Sequence, residues 1–203
     1  MPPKQELSVV RKEQILEAAA VVFARLGFHK ARMDDIGKEA GLSKGAVYWY
    51  FESKDEIITT ILDRFMEREL EVFRKISQGD GPIPARLMTM MKTLASEVDS
   101  ISGLMPIIYE FYAVAAREEA IRKTIDKYMT SYTGLLEALI KEGIEREELK
   151  VVSAREVAFS LVALMEGCML IWVLRTFSHR KPDLEKLFVT SMDLVLEGLK
   201  AEA

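Results

Sequence analysis

Apolar residues recur along the chain at spacings of three and four positions, the periodicity of helices that bury one face. No stretch sustains the alternation of apolar and polar residues that would predict a strand. The pattern therefore predicts an all-α fold of about nine helices, bounded by glycine, proline and capping residues. The predicted helices cover approximately residues 9–26, 34–40, 44–51, 55–76, 84–99, 106–117, 119–145, 154–177 and 182–201.

Residues 27–54 combine two short helices with a glycine turn. Gly27 can end the first long helix in a left-handed conformation, and Gly41 makes the turn between the two short helices. Ser43 can cap the second short helix by accepting a hydrogen bond from a backbone N–H of its first turn. This arrangement is typical of a helix-turn-helix.

The second short helix carries more large aromatic side chains than it can bury. Tyr48 and Trp49 are hard to place in a core that already takes Val47 and its apolar neighbours. Exposed aromatic residues on a short surface helix indicate a contact surface. Because Lys44 and Lys54 flank them, the sequence predicts that this surface meets a phosphate backbone and a DNA major groove.

The run IGKEAGLSKGAVYWYFESKDEI, from Ile36 to Ile57, resembles the DNA-binding signature of tetracycline-repressor-type (TetR family) regulators. The rest of the chain resembles that family in length and helical layout. The resemblance implies phosphate contacts by Tyr48 and Lys54, and an approach to base edges or the sugar–phosphate wall by Lys44, Gly45, Ala46 and Trp49. The predicted DNA-binding residues are Arg32, Ser43, Lys44, Gly45, Ala46, Tyr48, Trp49, Tyr50 and Lys54.

The segment before the second helix departs from the family pattern. The family usually has threonine or serine there, whose hydroxyl caps the helix and meets a phosphate, whereas this chain has Ala-Arg-Met at 31–33. Asp34 and Asp35 can interact with the helix dipole instead, and Arg32 can take the phosphate. Gly37 stands where the family commonly has alanine.

Charge is divided unevenly along the chain. The net charge is −4, yet residues 1–54 hold nine basic and seven acidic side chains, and residues 55–203 hold nineteen and twenty-five. A weakly basic reading domain on an acidic body is compatible with DNA binding when specific contacts and dimerisation supply much of the affinity. We therefore expect a helix-turn-helix DNA-binding domain at 1–54 and a ligand-binding and dimerisation domain at 55–203, linked by the helix that begins near residue 55.

Composition also narrows the expected compartment. No apolar run reaches the roughly 18 residues that a membrane span requires, and the N-terminus lacks the apolar core of a signal peptide. The single cysteine, Cys168, excludes an intramolecular disulfide, which fits a reducing environment. These features predict a cytoplasmic protein without a membrane partner.

The helix predicted at 154–177 is apolar nearly all round, so it must be covered on both sides. The simplest cover is the same helix and the final helix of a second copy, in a two-fold four-helix interface. A homodimer of this kind presents two reading heads to the halves of a palindromic site. The alternative is an unusually buried helix inside a monomer. The predicted interface residues are Leu161, Leu164, Cys168, Trp172, Leu184, Phe188 and Val195.

Methionine and aromatic residues are abundant in the predicted body, where flexible methionines can line an adaptable binding surface or simply fill a core. As a set they resemble the effector pockets of the family, which suit a small apolar or amphipathic ligand. Glu166 has only apolar helical neighbours, so it needs a cation, a proton, a ligand, or a hydrogen bond within or across subunits. The predicted ligand-binding residues are Phe65, Met88, Met91, Met105, Tyr109, Phe111, Tyr112, Tyr128, Tyr132, Met165, Glu166 and Met169.

Enzyme chemistry finds little support in the sequence. His29 and His179 share no motif with each other or with Cys168, and neither a zinc-ligand cluster nor a glycine-rich phosphate loop is visible, so we expect no metal or cofactor. The expected function is a ligand-responsive, homodimeric transcriptional repressor that binds a palindromic DNA operator and is released by its effector. The alternative is a DNA-binding adaptor of the same fold that has a protein partner and no small-molecule effector.

Overall fold

The computed structural model describes residues 4–117, 119–174 and 183–201, except the side chains of 4–6, 110, 111, 114 and 120. Within these residues the chain forms α-helices, and the only β-type pairing is an isolated antiparallel bridge between Leu149 and Lys200. The predicted all-α class is therefore confirmed. The helices are α1 Lys4–Leu26, α2 Met33–Glu39, α3 Lys44–Tyr50, α4 Lys54–Ser77, α5 Ile83–Ser100, α6 Met105–Ala115, α7 Glu119–Glu145, α8 Ala154–Leu174 and α9 Leu184–Leu199.

Most helix boundaries lie close to the predicted ones, and α7 begins and ends as predicted. The first helix begins earlier than predicted, at Lys4. The last begins at Leu184, where the Asp183 side chain caps it by accepting a hydrogen bond from the Lys186 N–H at 3.0 Å. The predicted start of this helix at residue 182 and the predicted end of α8 at residue 177 lie outside the described residues.

The chain forms two compact units, which we call the first and second units. The first unit comprises Met1–Glu67 and Gly103–Glu110, and the second comprises Arg68–Ser102 and Phe111–Ala203. Helix α4 therefore contributes residues to both units. The functional boundary expected at residue 54 stays a prediction.

Helix α1 contributes a buried apolar stripe to the core of the first unit, which includes Ile15, Ala19, Val22 and Phe23. Ile36 of α2 and Val47 of α3 are also fully buried. Gly27 adopts the predicted left-handed conformation, with φ of +76°. Gly41, at the predicted turn, is left-handed as well, with φ of +65°.

Close packing at the turn between α2 and α3 explains a departure from the family pattern. A Cβ atom at position 37 would lie only 3.1 Å from the carbonyl oxygen of Leu42. The Leu42 N–H also donates to the Gly37 carbonyl at 2.8 Å, which fixes this close approach. Glycine at position 37 thus suits the local geometry better than alanine does.

The second unit is a helical bundle with apolar side chains in its interior. Its buried residues include Leu87, Met90, Met91, Leu136, Leu139, Ile140, Ala158, Leu161, Phe188 and Met192. Arg86 is buried among them, and its guanidinium donates to the carboxylate of Glu142 at 2.7 and 3.2 Å and to the carbonyl of Ile76 at 3.2 Å. Its charge is therefore compensated inside the unit.

Candidate nucleic-acid and ligand sites

Helix α3 exposes the aromatic side chains that were expected to have no place in a core. Ser43 caps the helix, as predicted, because its Oγ accepts a hydrogen bond from the Ala46 N–H at 3.2 Å. Val47 is fully buried, whereas Tyr48 is 45% exposed and Trp49 is 76% exposed. The Trp49 ring meets the half-buried Tyr50 ring edge-on, with centroids 4.8 Å apart. The helix thus holds two large aromatic side chains in solvent.

One cation, Lys44, lies beside these aromatic side chains, and the backbone at Gly45 is accessible. The ammonium of Lys44 lies 2.9 Å from a carboxylate oxygen of Asp34 and 5.9 Å from the centre of the Tyr48 ring. The hydrogen bond and charge of Asp34 raise the pKa of Lys44. Gly45 has no neighbour within 4 Å of the position a Cβ would take, so another molecule can approach its backbone closely.

Arg32 stands immediately before α2 and is exposed. Its backbone N–H donates to the carboxylate of Asp35 at 3.1 Å, which ties the start of the helix to an acidic side chain. The guanidinium is therefore on the surface of the first unit, where a phosphate could reach it.

Lys54 has a structural role that the sequence did not indicate. Its ammonium donates to the backbone carbonyls of Phe28, His29 and Ala31 at 2.7, 3.2 and 3.4 Å. It also lies 4.5 Å from the centre of the Phe28 ring. Lys54 thus holds the segment between α1 and α2 in place, and its contact with a phosphate stays a prediction.

Two of the predicted ligand-binding residues, Tyr112 and Glu166, meet in the second unit. The Tyr112 hydroxyl donates to a carboxylate oxygen of Glu166 at 3.2 Å. Burial raises the pKa of Glu166, and this hydrogen bond opposes the increase. Glu166 therefore has an internal hydrogen bond, one of the alternatives expected from the sequence.

Tyr132 connects this pair with further aromatic and acidic groups. Its ring meets that of Phe73 edge-on at 5.7 Å. Burial raises the pKa of Tyr132 strongly, and the charge of Glu69, then Tyr128 and Glu166, adds to the increase. The carboxylates that raise the pKa of Tyr132 therefore come from both α4 and α8.

The other predicted ligand-binding residues differ in burial. Met91, Met105, Tyr128 and Met165 are buried, whereas the partly exposed ones are Phe65, Met88, Tyr109 and Met169. Phe65, Met105 and Tyr109 belong to the first unit. The side chain of Phe111 lies outside the described residues. That all of these residues line one ligand site stays a prediction.

Glu69 is a candidate site residue that sequence reasoning missed. It is fully buried, and within the described part of the chain neither carboxylate oxygen has a hydrogen-bond partner. Burial, and then the charge of Glu97, raises its pKa to about 7, against the opposing effect of Arg68. The signal was available, because the residues three and four positions away are all apolar: Phe65, Met66, Val72 and Phe73.

The predicted dimer residues differ in exposure, and their place in an interface stays a prediction. Five of them are buried within the subunit: Leu161, Cys168, Trp172, Leu184 and Phe188. Burial of Leu161 and its neighbours by the subunit itself explains why α8 is apolar on more than one face. Leu164 and Val195 are half-buried and remain available.

Other apolar side chains of α8 and α9 are exposed instead. Phe159 is 68% exposed and Leu194 is 71% exposed, and Leu170 and Leu174 are also exposed. A groove of about 320 Å³ between the two helices is lined mainly by apolar residues: Val157, Leu161, Leu194, Val195 and Leu199, with Glu156, Ser160 and Gly198. Leu194 thus belongs to an apolar groove, and Phe159, Leu170 and Leu174 are further apolar side chains of α8 that the subunit leaves in solvent.

Helix α8 is also long and apolar enough to cross a membrane by length and composition alone. The polar residues in α8 are too few to lower its mean hydropathy below this limit, although Glu166 interrupts its apolar run. A helix that packs in the core of a soluble protein passes the same test. No group of three or more potential metal-ligating side chains occurs among the residues that the structure describes.

The chain resembles known regulators over both units. Residues 15–61 match the family of bacterial regulatory proteins of the tetR type, and residues 84–195 match the C-terminal domain of BetI-type transcriptional repressors. A relative is the uncharacterized HTH-type transcriptional regulator YfiR of Bacillus subtilis, 29% identical over 75% of each chain.

Two solved structures show the same fold. One is a TetR transcription regulator from Haloarcula marismortui, with a TM-score of 0.82 and 21% identity, covering 95% of this chain and 99% of the other. The other is the transcriptional regulator FadR from Bacillus subtilis in complex with stearoyl-CoA, with a TM-score of 0.77 and 22% identity, covering 92% of this chain and 98% of that one.

Proposed function

Because the chain belongs to the TetR family of transcriptional regulators, we propose that it is a homodimeric, ligand-responsive repressor that binds a palindromic operator. The observation that carries this proposal is the surface of α3, where Tyr48 and Trp49 are exposed beside Lys44. Aromatic side chains in solvent are unfavourable for folding alone, so their position is best explained by a partner.

Recognition uses the exposed face of α3 in the major groove. Lys44 can donate to guanine O6 or N7 if it leaves Asp34, and Gly45 lets the helix approach the groove closely. Tyr48 contacts a phosphate, and Trp49 packs against a sugar or a base edge. Arg32 and the N-terminal end of α3 at Ser43 and Ala46 add contacts to the phosphate backbone.

Dimerisation uses the uncovered apolar surface of α8 and α9. Phe159 and Leu194 are large, apolar and exposed in the subunit, and a two-fold contact would cover both in one interface. Val195 lines the groove between these helices and Leu164 is half-buried, so both can join this contact. Two protomers then carry two copies of α3 to the two halves of an operator.

The effector is a small apolar or amphipathic molecule that binds in the second unit. The methionine and aromatic side chains support this proposal, and so does stearoyl-CoA in a protein of the same fold. The ligand releases DNA only if it binds more tightly to a conformation in which the two helix-turn-helix domains no longer fit the operator. The proposed compartment is the cytoplasm, and no chemical step is assigned to the chain.

The proposal is tested by selecting bound sequences from a random double-stranded DNA library. The expected result is an inverted repeat, and Tyr48→Ala should lose it while keeping the same thermal stability. Stearoyl-CoA is the first effector to test, by the change in fluorescence anisotropy of the labelled operator. If DNA is bound but a broad set of small apolar molecules leaves the complex unchanged, the adaptor with a protein partner becomes the better account.

A further inference from the structure

The buried charged residues of the second unit fall into two different situations. Arg86 is nearly fully buried, but Glu142 and backbone carbonyls satisfy its guanidinium. Glu69 is fully buried, and its two carboxylate oxygens have no hydrogen-bond partner within the described residues. Folding alone does not favour such a group, because an isolated carboxylate loses its hydration without a compensating interaction.

The surroundings of Glu69 consist of aromatic rings and further acidic groups. Phe73 lies one helical turn after Glu69 on α4, is buried, and meets the ring of Tyr132 edge-on. The charges of Glu69 and Glu166 both raise the pKa of Tyr132. The faces of aromatic rings attract cations, and carboxylates add a direct charge interaction.

The basic groups near Glu69 do not neutralise it. Arg68 is the neighbouring cation, but its side chain is mostly exposed and its guanidinium binds Glu97 at 3.0 Å. Glu97 itself contributes a further negative charge near Glu69. The buried Arg86 is engaged with Glu142. The local charge around Glu69 is therefore negative, which disfavours an anionic ligand.

We infer that Glu69 is the anchor for a cationic effector, an organic ammonium or a similar lipophilic cation, which binds against the rings of Phe73 and Tyr132. This inference rests on the proposed ligand response and specifies the charge of the ligand. The cation supplies the compensation that the subunit lacks, and the aromatic side chains replace part of its hydration. Glu166, already bonded to Tyr112, adds negative charge without being the primary contact.

Binding of matched probes to the free protein tests the inference. Benzyltrimethylammonium and neopentylbenzene have nearly the same shape, but only the first carries a charge, and tetraphenylphosphonium is a larger cation. Calorimetry on the wild type should show saturable binding of at least one cation, tighter than that of the neutral compound. Glu69→Gln should weaken the binding of that cation by about tenfold or more and leave the neutral compound unaffected.

Glu71→Gln is the matched control, because Glu71 lies on the same helix and is exposed. It should bind the cation as the wild type does. Failure of the wild type to bind either cation, or equal binding by wild type and Glu69→Gln, would overturn the inference. Thermal melting of each variant verifies that the fold is retained.

Operator release is measured separately, so that the two proposals fail in different ways. If stearoyl-CoA or a neutral compound releases the operator while neither cation binds, the ligand response stands and the inference about Glu69 is wrong. If a cation binds through Glu69 but leaves the operator complex intact, the cation site stands and the proposed ligand response to it is wrong.

Discussion

The two units depart in different directions from the usual arrangement of apolar residues inside and charged residues outside. In the first unit the exceptions are exposed: Tyr48 and Trp49 of α3 lie in solvent beside a lysine. In the second unit the exceptions are of two kinds, exposed apolar side chains and a buried charged side chain. Phe159 and Leu194 are exposed on an apolar surface, while Glu69 is buried without a partner.

The difference between the units shows that exposure alone does not identify a partner. Tyrosine and tryptophan carry hydrogen-bonding groups, and a neighbouring lysine makes their surface suitable for phosphates and base edges. Phenylalanine and leucine have no such groups, so their surface suits another apolar protein surface. A buried carboxylate among aromatic rings suits a cation. The chemistry around each exception therefore indicates the kind of partner.

The largest expected effect follows from the apolar surface of α8. Phe159→Glu should give a monomer, because a charge would be buried in the two-fold interface. Operator affinity should then fall by at least about 100-fold, because a monomer brings only one DNA-binding domain to the operator. Sedimentation velocity and fluorescence anisotropy measure the two quantities. Val151→Glu is the control, because Val151 is 88% exposed in a loop. A dimeric Phe159→Glu with normal DNA binding would remove α8 from the interface.

The buried carboxylate gives a pH-dependent effect on stability. The pKa of Glu69 is about 7 in the folded protein and near 4.5 in an unfolded chain, so the folded state binds more protons between these values. The contribution of Glu69 to stability should therefore fall as the pH rises from 4.5 to 7 and stay low above 7. Glu69→Gln should raise the free energy of unfolding at pH 8 by on the order of 2–3 kcal/mol and change it little at pH 4.

Denaturant unfolding of wild type and Glu69→Gln at both pH values measures this effect. Arg68, Glu97, Tyr132 and Glu166 also face or influence this region, but the difference between the two proteins largely cancels their own titration. An equal stability difference at pH 4 and pH 8 would show that Glu69 is neutral or compensated in the folded protein.

The exposed face of α3 should affect DNA binding without affecting stability. Tyr48→Ala and Lys44→Ala should each weaken operator binding by about 1–3 kcal/mol, with melting temperatures close to that of the wild type. Lys141→Ala removes the same charge from an exposed position in the second unit and serves as the control. Normal operator binding by both α3 variants would exclude this helix as the reading element.

Lys54 should show the smallest effect on DNA binding and a separate effect on folding. Lys54→Met removes the hydrogen bonds to three carbonyls, so thermal unfolding should show a loss of about 1–2 kcal/mol. The dependence of operator affinity on salt tests the phosphate contact independently. A decrease of about one unit in the slope of log affinity against log salt would show that Lys54 also contacts a phosphate. An unchanged stability would contradict the role of its carbonyl contacts.

The helices could be predicted from the sequence because their apolar periodicity and capping residues are local properties. Ser43 and Gly41 are examples, since each acts on backbone groups only a few residues away. The assignment of faces on α8 could not be predicted in the same way, because the helix is apolar on several sides. Only the packed subunit shows that Leu161 faces inward and Phe159 outward.

The predicted sites depend on contacts between residues that are distant in sequence. The pairing of Tyr112 with Glu166 and the contact of Lys54 with the Phe28 carbonyl are such contacts. Neither follows from helical spacing alone. Glu69 is a different case, because its apolar helical neighbours are a local signal that also identified Glu166. The apolar residues three and four positions from Glu69 on α4 are enough to identify it from the sequence.

The mass of the saturated operator complex tests the central claim most directly. The claim is that two protomers, joined through α8 and α9, place two copies of α3 on the halves of one inverted repeat. Sedimentation of the wild type on the selected operator should show two chains per inverted repeat, and an operator with one half-site scrambled should bind much more weakly. A saturated complex with one chain per operator, or equal affinity for the half-scrambled operator, would contradict the account.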